Sequence, residues 1–199
     1  NQTSYTPPNR DEYVFGSWEP WWGYRSWYDD YGSKPYKPPP SWNFQGKTDA
    51  LGEHILHMDY ISAKPSMPFS VTANASVMDV NRQAWNASTT ITVHPSSLYV
   101  GVKTKRPFVE KGTPFDIDLI ATDIDGKLHA GAKIEVKSVR LDWEYKNGQY
   151  KTKEVDPQTC NAVAKTDAVP CTFKTPKGGT YQLTATVVDD KGRANQTKL

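Results

Sequence analysis

The stretch FDIDLIAT, residues 115–122, sets Phe115, Ile117, Leu119 and Ala121 against Asp116 and Asp118. A period of two describes a strand with one face in a core. TYQLTATVV, residues 180–188, repeats the pattern with Tyr181, Leu183, Ala185 and Val187. In AKIEVKSVRLDWEY, residues 132–145, Ile134 and Val136 hold one parity while Val139, Leu141 and Trp143 hold the other. That change of phase predicts a bulge near Lys137 and Ser138, because one extra residue exchanges the two faces. Turn signals separate such runs at Asp125-Gly126, Asn147-Gly148, Gly178-Gly179 and Lys191-Gly192. No window of a dozen residues carries the stripe of an amphipathic helix, so the chain is predicted to be all-β.

A faint internal repeat organises these strands. FSVTANASVMDVNRQ (69–83) and YQLTATVVDDKGR (181–193) share an aromatic residue, an aliphatic, Thr-Ala, then Val, Asp and a polar turn. Asp79 and Asp189 lie 110 residues apart, a spacing of sandwich-domain size rather than solenoid size. The reading is two tandem antiparallel β-sandwich domains, fibronectin-type-III-like in outline, over residues 1–97 and 98–199. Pro95 and two serines in HPSSLYV (94–100) interrupt the strand pattern at the junction. The first copy has few strands before its aromatic segment, so its opening strands are expected upstream of residue 1.

Residues 13–44 change the picture, since they hold twelve aromatics and five prolines with Val14 as the one branched aliphatic. Such rings bury large areas while anchoring their N–H or O–H groups, which suits an aromatic-rich loop inserted in the first domain and packed on it. They also suit contact with a neighbouring domain or an external ligand, where Trp and Tyr are favoured anchors. The candidate contact residues are Trp18, Trp21, Trp22, Tyr24, Trp27 and Tyr28. Asp29 and Asp30 are adjacent and not a spaced pair for sugar hydroxyls.

Composition then narrows the function. The net charge is +2 and the basic residues are scattered, which argues against a nucleic-acid partner. No stretch approaches the roughly 20 apolar residues needed to span a bilayer, and no charged-then-apolar leader opens the chain. Cys160 and Cys171 enclose ten residues. A close pair suits a disulfide between neighbouring strands, or a strand and its loop, in an oxidising compartment; two unpaired thiols are the other reading. The spacing is not that of a zinc site.

Several segments together resemble the middle of bacterial alpha-2-macroglobulin-like proteins. They are SYTPPNRDEYVFG (4–16), GKTDALGEHILHMDY (46–60), residues 70–127 from SVTANASVMDVNRQAWNAS to DIDGK, VRLDWEY (139–145) and GGTYQLTATVVDDKGR (178–193). The resemblance implies two consecutive macroglobulin-like domains, each a seven-stranded sandwich, from a large envelope protein that traps proteases. The cysteine pair fits the second domain of that pattern. It implies export to a bacterial periplasm or cell envelope and a membrane link only through a lipid anchor outside this segment. The partners it implies are neighbouring macroglobulin-like domains of the same chain and, through the full-length protein, host or competitor proteases. The family's thioester motif, Cys-x-x-Gln, is absent after both cysteines, and its bait region lies downstream of the domains resembled.

No catalytic residue, metal ligand or cofactor is therefore expected. His54 and His57, three apart in a predicted strand, would point to opposite faces. Asp123-x-Asp125-Gly126 starts like a calcium loop but lacks its later oxygen ligands, which favours a plain turn. Sequons at Asn1, Asn74, Asn86 and Asn195 are what such strands produce by chance. A scaffold segment of a protease trap leads, a sandwich binding module using the Trp/Tyr segment (an adhesin or carbohydrate binder) follows, and an enzyme comes third.

Overall fold

The computed structural model describes residues 3–18, 41–58, 66–146 and 149–199. The described residues hold nine strands and no helix, and every pairing between strands is antiparallel. β1 (Phe69–Met78) and β2 (Ala84–Val93) form a two-stranded hairpin. β3 (Leu98–Thr104), β4 (Phe115–Asp123) and β7 (Val169–Phe173) form a three-stranded sheet in the order β3-β4-β7. β5 (Lys133–Lys146), β6 (Gln149–Val163), β8 (Thr180–Val188) and β9 (Ala194–Lys198) form a four-stranded sheet in the order β6-β5-β8-β9.

These two sheets close a sandwich over residues 98–199, and the alternation in sequence supplies its core. Val100, Val102, Ile117, Leu119 and Phe173 from one sheet meet Ile134, Val136, Leu183, Ala185 and Val187 from the other. Phe115 and Tyr181 are only partly buried. Their rings sit at the rim, 6.3 Å apart, with Phe115 also 5.6 Å from Phe173.

The expected bulge exists on the other strand. β5 keeps an unbroken register with β8 from Ile134 to Leu141, so Val139, Leu141 and Trp143 face away from Ile134 and Val136. The register with β6 shifts between Ser138 and Arg140, where β6 spends the extra residue. Asp156 has φ of 50° and Pro157 brings no N–H, so the ladder cannot continue through them.

One turn recurs at Asp49, Asp79, Asp123 and Asp189. In each, the aspartate Oδ1 accepts the backbone N–H groups two and four residues on. The residue three on takes a positive φ and donates to the aspartate carbonyl. Glycine fills that position at Gly52, Gly126 and Gly192, while Arg82 fills it at φ 64°. Asp123-x-Asp125-Gly126 is thus a hairpin-type turn. The 69–83 and 181–193 repeat is the same strand-and-turn unit, since β1-turn-β2 and β8-turn-β9 share this geometry.

Candidate contact surface

Residues 3–18 form a strap across the sandwich of residues 98–199. Val14 exchanges backbone hydrogen bonds with Val102 (2.8 and 3.0 Å), adding a short rung to the open edge of β3. Phe15 is buried against Tyr99 and Ile120, with Tyr5, Tyr13 and Leu128 around them. This second cluster lies on the outer face of the three-stranded sheet, where Tyr99 and Ile120 break the polar-outside rule that the alternation suggests. Gly101 makes room for it, because a Cβ there would stand 2.7 Å from the Phe15 ring. Farther along, the Tyr5 hydroxyl donates to the Ile124 carbonyl (2.6 Å) and Arg10 Nε to the Gly126 carbonyl (2.9 Å). Residues 13–18, the first residues of the aromatic segment, thus pack on the sandwich of residues 98–199.

The strap ends beside β9. The Lys198 N–H donates to the Gly16 carbonyl (2.6 Å) and the Trp18 N–H to the Lys198 carbonyl (2.9 Å). Gly16 takes φ of 78°, and its N–H donates to Thr197 Oγ1 (3.1 Å). Trp18 is 40% exposed. Trp21, Trp22, Tyr24, Trp27 and Tyr28, the other expected contact residues, lie outside the described residues. Ser17 lies at the lip of a cleft that Met67, Glu154, Gln182, Thr184, Gln196 and Lys198 also line. Amides, hydroxyls and one charge of each sign line it around a buried Met67, which suits contact with a polypeptide surface.

Two polar clusters gather around the chain that enters β3. Asp189 is buried and accepts from the Ser97, Lys191 and Arg193 backbone N–H groups, the Ser97 hydroxyl and the Arg193 guanidinium. Burial alone would raise its pKa, but those hydrogen bonds outweigh it and hold the carboxyl well below the usual range. His94 Nδ1 lies 2.6 Å from the Tyr99 hydroxyl, with Tyr5 edge-on to the imidazole at 4.7 Å between ring centroids. Burial lowers the His94 pKa, and burial and then the nearby Tyr5 raise that of Tyr99. Neither cluster was foreshadowed by the pattern of strands, because each joins segments far apart in the sequence.

Cys160 and Cys171 form a disulfide, with Cα atoms 6.2 Å apart. It links β6 of one sheet to β7 of the other, so it staples the two layers at the side opposite β9. His54 and His57 lie in exposed, irregular chain and not in the strand expected for them. Among the described residues no group of three His, Cys, Asp or Glu side chains comes together to hold a metal ion. The sequon residue Asn195 is fully buried, its Oδ1 accepting from the Val100 N–H (3.1 Å), whereas Asn74 and Asn86 are exposed.

No family model and no curated protein matches the chain. Among solved structures it is similar to native Escherichia coli alpha-2-macroglobulin, at 14% identity and a TM-score of 0.43, over 68% of this chain and 10% of that one. Salmonella alpha-2-macroglobulin reacted with methylamine gives 13% identity and a TM-score of 0.43, over 68% and 10%. The chain thus spans about a tenth of the length of either protein.

Proposed function

We propose that this chain is a non-enzymatic scaffold segment of a bacterial alpha-2-macroglobulin-like, broad-range protease trap. Its division is into a first unit over residues 1–97 and a second over 98–199. The observation that carries the reading is the repeated hairpin. The same Asp-centred turn joins β1 to β2 and β8 to β9, in sequence segments that resemble consecutive macroglobulin-like domains. A stapled sandwich with its β3 edge closed, preceded by a matching hairpin, is suited to holding other parts of a large protein in register. The disulfide supports an exported location in the periplasm or cell envelope. Partners are then the neighbouring domains, through the strap and the aromatic segment, and proteases through the whole protein.

The test compares this chain with the full-length protein in one protease assay, using a bulky protein substrate beside a small peptide substrate. Entrapment by the full-length protein spares cleavage of the small substrate and blocks that of the bulky one. The chain alone blocks neither and does not react with methylamine, since it carries no Cys-x-x-Gln. Stoichiometric inhibition by the chain alone, above all of the small substrate, would mean active-site blockade and overturn the reading.

A further inference from the structure

The base of the β1–β2 hairpin is tied to the sandwich at one crowded point. On its entry side the Thr3 N–H donates to the Pro68 carbonyl (3.0 Å), one residue before β1, and the Gln196 N–H of β9 donates to the Ser66 carbonyl (2.8 Å). On its exit side, one residue after β2, stands His94. Its Nδ1 lies 2.6 Å from the Tyr99 hydroxyl. The Tyr5 ring is nearly perpendicular to the imidazole at 4.7 Å and tilted against Tyr99 at 5.3 Å. The Tyr5 hydroxyl is itself fixed to the Ile124 carbonyl of the sandwich. The strap, the end of the hairpin and β3 therefore meet through three side chains, of which the imidazole is the one able to change charge near neutrality.

We infer that His94 is an acid-sensitive latch: neutral, it holds the base of the β1–β2 hairpin and residues 3–5 of the strap against the sandwich, and protonated, it releases them.

The direction follows from hydrogen-bond chemistry. Tyr99 is 1% exposed, and among the described residues His94 Nδ1 is the partner given to its hydroxyl. Burial, and then Tyr5, raise the Tyr99 pKa, so the phenol keeps its hydrogen and donates it, and Nδ1 supplies the lone pair. Protonation places a hydrogen on that lone pair and sets two donors face to face. The Tyr99 oxygen can accept the new N–H only by turning its own hydrogen away from the one partner it has, and a buried donor without a partner is costly. The titratable groups that face the imidazole are the phenols of Tyr5 and Tyr99, neither of which offers a negative charge. The carboxylates of the adjoining turns are engaged elsewhere, Asp123 with the Asp125 and Lys127 N–H groups and Asp189 with Ser97 and Arg193. Burial lowers the His94 pKa. The latch is therefore complete above the ordinary histidine value of about 6.5 and is lost as pH falls through the lowered one. None of the three side chains belongs to the core between the sheets, so the sandwich outlasts the release.

The experiment follows the protein by NMR from about pH 7.5 to about pH 5, beside His94→Gln, whose amide oxygen can accept the Tyr99 O–H without titrating. The His94 signals give its own titration, apart from those of His54, His57 and His129. The Thr3 and Gln196 amides, whose bonds to Pro68 and Ser66 must break for the hairpin base to move, are read by hydrogen exchange corrected for the intrinsic effect of pH. Their protection is expected to fall about fivefold or more in the parent, with its midpoint at the His94 titration, while β4, β5 and β8 keep theirs. In His94→Gln it should stay within about twofold across the range. A His94 titration at or above the ordinary value overturns the inference, as does protection that is absent at pH 7.5 or does not follow that titration. The same fall in His94→Gln overturns it too. The readings on the parent decide the matter without the variant should His94→Gln misfold.

Discussion

The buried Thr197 hydroxyl donates to the Val100 carbonyl at 2.6 Å and at the same time accepts the Gly16 N–H at 3.1 Å. One side chain of β9 thus joins the four-stranded sheet, the edge of the three-stranded sheet and the strap. Asn195, two residues earlier, takes the Val100 N–H. The free edge of β3 is closed by side chains at Val100 and by the strap at Val102, which leaves little open backbone there for another strand to pair with.

Thr197→Val keeps the shape and leaves the Val100 carbonyl and the Gly16 N–H without this partner. An unsatisfied buried group costs about 1–3 kcal/mol, so denaturant unfolding should show a loss in that range. Thr152→Val, at an exposed position of β6, is the control, and equal losses from the two would refute the assigned role.

The disulfide should be present in protein purified without reductant, and a thiol assay under denaturing conditions should find no free sulfhydryl. Replacing both Cys160 and Cys171 by Ala removes the constraint on a short loop, worth roughly 2–3 kcal/mol in the entropy model. An unchanged melting temperature in the double variant would show that the staple contributes nothing to the sandwich.

Much of this architecture is legible in the sequence where one physical demand sets the pattern. Ile117, Leu119, Leu183 and Val187 alternate because their strands have one face in the core, and the Asp79 and Asp189 turns match because the carboxylate must reach two backbone N–H groups. Ile120 and Tyr99 were illegible as a second cluster because their cover, Phe15, is about a hundred residues away in sequence. The change of phase at Val139 and Leu141 predicts a bulge in β5. Val139 is in fact buried on the opposite face of β5 from Val136, and the extra residue lies beside Pro157 in β6. Of the expected contact residues only Trp18 lies within the described residues, at the point where the strap leaves β9.

Asp189 gives stability a dependence on acid. Its folded pKa is depressed below the unfolded value of about 3.9, so its contribution is complete above that value and is lost as pH falls through the folded one. Asp189→Asn should be markedly less stable than the parent at pH 7, and the gap should narrow steadily below about pH 4. Denaturant midpoints measured between pH 7 and pH 2.5 provide the check. A gap of constant size across that range would mean that the hydrogen bonds do not depend on the carboxylate's charge.

Leu183 is buried in the main core, and Leu183→Ala should cost about 2–5 kcal/mol. Lys151→Ala, on the exposed part of β6, should fall within about 0.5 kcal/mol of the parent. Similar melting temperatures for the two variants would contradict the core assignment.

Phe15 offers a way to release the strap while keeping the sandwich. Its ring is 4% exposed and fills the space left by Gly101, but it belongs to the outer cluster and not to the core between the sheets. Phe15→Ala therefore removes the main apolar anchor of residues 3–18, while Ile117, Leu119 and Leu183 keep their partners. Chymotrypsin should then cut at Tyr5 and Tyr13 at least tenfold faster than in the parent, because the neighbouring bonds must leave the surface to enter a protease and that opening has become easier. The Leu183 core should remain folded, with amide exchange in β5 and β8 unchanged. If exchange in β5 and β8 rises together with cleavage at Tyr13, the strap and the sandwich form one cooperative unit, and the outer cluster is part of the domain's core. Unchanged cleavage would instead show that the Val14–Val102 rung and the Gly16–Lys198 bond hold the strap without the ring.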